Sequence, residues 1–96
     1  MAKLHHSGNA KEIALKQASV IRGMLNDLDR TVHFLNIDIS TEEEQGRVLD
    51  RSDPAYPILA RTLATRRDNL KVTVAALEKR LRMINAATPQ IIAEAA

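Results

Sequence analysis

The sequence predicts an all-α fold: an antiparallel hairpin of two long, coiled-coil-like helices that pairs with another hairpin into a four-helix bundle. Three observations predict it. Apolar residues at Ala14, Ala18, Ile21, Leu25, Leu28, Val32, Leu35 and Ile39 are separated alternately by four and three positions, the seam of a packed helix. A second run, Ala60, Leu63, Arg67, Leu70, Val74, Leu77, Leu81 and Ile84, keeps the same rhythm with one charged member. Finally, Phe34 and Tyr56 are the only aromatic residues among 96, and Trp is absent. Aliphatic side chains and many alanines are what long packed helices use in place of rings.

In chain order, residues 1–8 read as a flexible tail. His5 and His6 are adjacent, so on a helix they would diverge by about 100° and could not share a metal as an i, i+4 pair does. Asn9 is a good N-cap and Glu12 completes a capping box, which starts helix 1 and carries it over about 10–39. Gly23 is its one weak residue. With Ala14 at heptad position d, Ile13, Val20 and Phe34 fall at c and Met24 at g. These four widen the apolar face beyond what one hairpin mate covers, and they are the predicted dimer interface.

Residues 40–56 form an acidic connector. Ser40-Thr41-Glu42-Glu43-Glu44 has two readings: the helix continues, or Ser40 or Thr41 caps a separate short helix. Three carboxylates suit the positive end of a helix and oppose the dipole at its other end, which favours a break near Ser40. The spacing is not that of a calcium loop. Ser52 or Asp53 can cap and Pro54 fits a first helical position, but Pro57 makes that turn irregular, so helix 2 is established from Ile58. It spans about 57–85, completing a hairpin over 9–86. Residues 87–96 are a tail or short helix, because Pro89 should stop helix 2.

The connector is too short for parallel helices, so the two must run antiparallel. Ile39 then lies opposite Ala60, Val32 near Arg67, Ile21 near Leu77 and Ala14 beside Ile84. Arg67 reads as a register-setting residue, with Asp29 on the facing helix as its expected partner.

Net charge is +2, unevenly spread. From Asp38 to Asp53 six acidic residues face two basic ones; from Pro54 to Asn85 seven basic residues face two acidic ones. Such asymmetry calls for assembly or a partner. Arg61, Arg66, Lys71, Lys79, Arg80 and Arg82 are nucleic-acid candidates, yet they wrap helix 2 instead of lining one edge, and no stacking aromatics accompany them. Surface ion pairing, including with the acidic connector of a neighbouring chain, is the better reading.

Cys is absent, which excludes thiolate catalysis, disulfides and cysteine-ligated zinc. No nucleophile sits beside a positioned base, and His33 falls on the outer side of helix 1. Gly8, Gly23 and Gly46 stand alone, so no phosphate cradle forms. No catalytic residue, cofactor or metal is expected. No window suits a signal peptide or a membrane span, so the expectation is cytoplasmic.

In general form the chain resembles small bacterial helical-hairpin proteins, a likeness of shape that carries no mechanism. The expectation is a non-catalytic interaction module: a homodimer acting as an adaptor, or as an inhibitor of a larger regulatory protein. Tyr56 and Pro57 at the hairpin tip and Ile91 and Ile92 near the far end are its partner-binding candidates. A DNA-associated accessory protein is the alternative, and a structural or chaperone coil a weaker one.

Overall fold

The computed structural model describes the backbone of residues 2–95 and the side chains of residues 9–87. The fold is an all-α helical hairpin. Helix α1 spans Ala2–Gly46, residues 47–57 form the connector, and α2 spans Ile58–Ala95. Two compact units each take a segment of both helices: Met1–Asn26 with Ala75–Ala96, and Asp27–Val74.

In the first unit, Ala14, Ala18 and Ile21 are buried and Leu77, Leu81 and Ile84 are half-buried. Ile21 and Leu77 line one groove, Ala14 and Ile84 another, which are two of the pairings the seam spacing requires. In the second unit, Leu35 and Ile39 on α1 are buried, as are Ala60 and Ala64 on α2. The small side chains of Ala60 and Ala64 are thus the buried α2 positions beside the connector. Ala64 lies one residue beyond the seam position Leu63.

The connector is held by local polar bonds. The Asp50 carboxylate accepts from the Ser52 hydroxyl at 2.7 Å and from the Ser52 N–H at 3.0 Å. These bonds to its charged form hold the Asp50 carboxyl below the usual carboxylate range. The Asp53 carboxylate accepts from the Ala55 N–H at 2.8 Å, and the Asp53 carbonyl from the Tyr56 N–H at 3.0 Å. Pro57 then gives its carbonyl to the Arg61 N–H, the bond that opens α2. Pro54 therefore sits in a turn and not in the helix.

Three boundaries differ from expectation. Because α1 begins at Ala2, Asn9 lies inside the helix and caps nothing. The break near Ser40 does not occur either: α1 continues to Gly46, and the Thr41 hydroxyl donates back to the Ile37 carbonyl as a helix-interior threonine does. Packing outweighs the dipole argument here, since the added turns carry Glu43 to Tyr56 and Gly46 to Pro57. Similarly, α2 runs through Pro89 to Ala95; the proline removes one donor without ending the helix.

The end of α1 divides two roles that one glycine often fills. Gly46 is the last helical residue, and a Cβ placed on it would stand 2.7 Å from Pro57 Cγ. Arg47 takes the left-handed position, with φ 56°, and donates its N–H to the Glu44 carbonyl at 3.3 Å. Glycine is spent on close approach, so a bulky residue bears the backbone strain.

Candidate functional site

A two-helix contact covers each seam residue from one side only. Among the described residues, no large side chain is fully buried. What the hairpin leaves uncovered is therefore the place to look for a site.

In the first unit, one face of α1 and the neighbouring edge of α2 enclose a groove of about 390 Å³. Val20, Ile21, Met24 and Leu77 form its apolar surface, and Lys16, Gln17 and Arg80 its polar margin. A second groove in the same unit runs along Ile13, Ala14 and Ile84. Ile13, Val20 and Met24 are 54%, 61% and 45% exposed, so three of the four predicted interface residues lie open on α1. The fourth, Phe34, belongs to the second unit and is 56% exposed, and its ring meets the His33 ring edge-on with centroids 5.6 Å apart. Ile37, unremarked in the sequence, is exposed one helical turn further on.

The hairpin tip corrects the sequence expectation. Tyr56 is not an exposed partner-binding residue: it is 3% exposed and plugs the connector end of the second unit. Its hydroxyl donates to Glu43 Oε2 at 3.0 Å, and the Arg61 guanidinium carbon lies 5.4 Å from its ring centroid. Burial, with the Glu43 bond and charge adding to it, raises the Tyr56 hydroxyl above the ordinary tyrosine value. Pro57 is half-buried against Gly46. The apolar side chains exposed nearby are Leu49, Ile58 and Leu59. The sequence signal for Tyr56 would have been a helix 1 long enough to bring Glu43 within reach. The side chains of Ile91 and Ile92 lie outside the described residues.

Arg67 does bridge the helices, but not to Asp29. Its Nη1 donates to Asn36 Oδ1 at 3.1 Å, and its Nε and Nη2 meet Asp68 Oδ1 at 3.1 and 3.0 Å. Asn36 lies one turn beyond Val32, the residue expected opposite Arg67. The partner on the facing helix is a short amide at the edge of the seam, and Asn36 and Asp29 are both exposed.

Of the nucleic-acid candidates, Arg61 is taken up by the connector, its Nη2 donating to the Arg51 carbonyl at 3.0 Å. Arg66 and Lys71 are exposed in the second unit; Lys79, Arg80 and Arg82 are exposed in the first. Among the described residues, ion pairs are confined to Asp68, with Arg67 and, at 4.0 Å, Arg51. Among the described residues, no group of three or more potential metal ligands gathers and no helix is long and apolar enough to cross a membrane.

Comparison of the chain with protein-family models, with curated proteins and with solved structures found no match.

Proposed function

We propose that the chain is a non-catalytic protein–protein interaction module of the adaptor or inhibitor kind, and that its first partner is itself. Two hairpins pair through α1 into a four-helix bundle. The observation that supports this most is the exposed row of Ile13, Val20 and Met24 beside an apolar groove, on a hairpin that buries no large side chain completely among the described residues. Apolar surface removed from water contributes about 25 cal/mol per Å², so covering this row offsets the thinness of a two-helix core. A symmetric pair is the simplest assembly that covers it.

Sedimentation velocity on the full chain tests the proposal, with a Val20→Ser/Met24→Ser variant beside it. The expected result is a dimer for the native chain and a shift to monomer for the variant. A native chain that stays monomeric with full helical content at high concentration would overturn it.

A further inference from the structure

The exposed apolar row supports a partner on α1; the charges along α1 bear on the direction in which it runs. Residues 9–26 carry Lys11, Lys16 and Arg22 against Glu12. Residues 27–46 carry Asp27, Asp29, Asp38, Glu42, Glu43 and Glu44 against Arg30. The groove at Val20 and Met24 is bordered by Lys16 and by one further cation, Arg80 of α2. Neither its cations nor the exposed Asp38 and Glu44 enter an ion pair among the described residues. The chain thus presents a basic apolar groove and, further along the same helix, an acidic stretch bearing the exposed side chains of Phe34 and Ile37.

We propose that the groove receives the Phe34–Glu44 stretch of α1 from a second copy, running antiparallel, with the two-fold axis near Asp29. This rests on the self-pairing proposed above and specifies its orientation and contacts. Heptad positions set the register. Ile13, Val20 and Phe34 share position c, while Gln17, Met24 and Asp38 share g. An antiparallel pair matches c of one helix with g of the other, which places Met24 against Phe34 and Val20 beside Asp38. Asp38 then faces Arg80 on the α2 edge of the groove, and Glu44 faces Lys16 on the opposite edge. Gly23 gains a reason as well. A glycine inside a helix is unfavourable, and apart from its immediate neighbours and the backbone of its own helical turns nothing lies within 4 Å of where its Cβ would stand. In this register Gly23 lies opposite Ile37 of the other copy. A parallel pair would instead set Lys16 on Lys16 and Asp38 on Asp38, with like charges opposed along the contact.

Because the chain has no Cys, disulfide trapping reads the orientation without background. Antiparallel pairing brings Met24→Cys of one copy against Phe34→Cys of another, and holds two Met24→Cys positions about 15 Å apart along the axis. The expected result under mild oxidation is a mixed Met24→Cys/Phe34→Cys dimer, with little bridging in either variant alone. Charge reversal gives the second arm. Arg80→Glu and Asp38→Arg should each weaken self-association at least about tenfold. An equimolar mixture should form a heterodimer close to native affinity, since each of its two contacts again joins opposite charges. Both positions are exposed, and circular dichroism checks that each variant remains helical. Efficient Met24→Cys self-bridging in a dimer, or charge reversals that change nothing, would overturn the arrangement and leave self-pairing standing. A monomeric native chain would overturn self-pairing and this arrangement with it.

Discussion

Replacing Gly46 with alanine would put a methyl group 2.7 Å from Pro57 Cγ and 3.4 Å from its Cδ. The nearer gap must open by roughly 0.7 Å to reach ordinary contact, and the pyrrolidine ring cannot swing aside because its φ is locked. Relief has to come from the backbone. There the connector is tied to α1 by the Tyr56–Glu43 bond and by the turn at Arg47. Overpacking of this kind costs about 1–3 kcal/mol, while alanine recovers up to about 1 kcal/mol of helix propensity. The expected net loss is about 1 kcal/mol, or a Tm lower by about 5 °C for a chain of this size. Denaturant unfolding followed by circular dichroism, at matched protein concentration, measures it. A cycle with Pro57→Ala isolates the contact: the alanine at position 46 should be tolerated once the ring is gone. If Gly46→Ala stabilises the chain, or if the cycle shows no coupling, the close approach of α1 to the connector is refuted.

Arg47→Gly should act in the opposite sense, raising stability by about 1 kcal/mol because φ 56° suits glycine and strains arginine. The same unfolding experiment checks it. Asn36→Ala should cost about 1 kcal/mol through the lost Arg67 bond, whereas Asp29→Ala should stay within about 0.5 kcal/mol; equal effects would return Asp29 to the role of partner. Tyr56 supplies a pH dependence. Its folded value is raised, so its contribution to stability is fully present below about pH 10 and is lost as pH climbs through the folded value. As the only tyrosine, it reports itself through tyrosinate absorbance. That transition should lie above the ordinary value, and Tyr56→Phe should remove the alkaline loss of stability.

Much of the fold was legible because it follows from spacing alone. Ala14, Ala18, Ile21, Leu35, Ile39 and Ala60 are buried where the four–three rhythm puts them. The connector end was less legible, and for one connected reason. Judged by its own charges, Ser40-Thr41-Glu42-Glu43-Glu44 belongs at a helix start. Its actual place, continuing α1, depends on Tyr56 and Pro57 folding back from beyond the turn, which no local window contains. A helix 1 that stops at Ile39 gives Glu43 no reason to meet Tyr56 and leaves the ring free to bind a partner. The Arg67 contact failed in a smaller way. The seam shows which residue bridges, but charge alone points to Asp29, whereas the residue that meets Arg67 is the neutral Asn36. The exposed interface candidates, by contrast, were visible as apolar residues flanking the seam, because breadth of an apolar face is a property of one helix.

On the proposed function, this hairpin completes its core with a second copy. Thermal unfolding by far-ultraviolet circular dichroism, across a hundredfold or wider range of protein concentration, tests it most directly. If folding and pairing are coupled, Tm rises steadily with concentration, as mass action requires. A Tm independent of concentration, with full helical content kept at the lowest concentration, would contradict it.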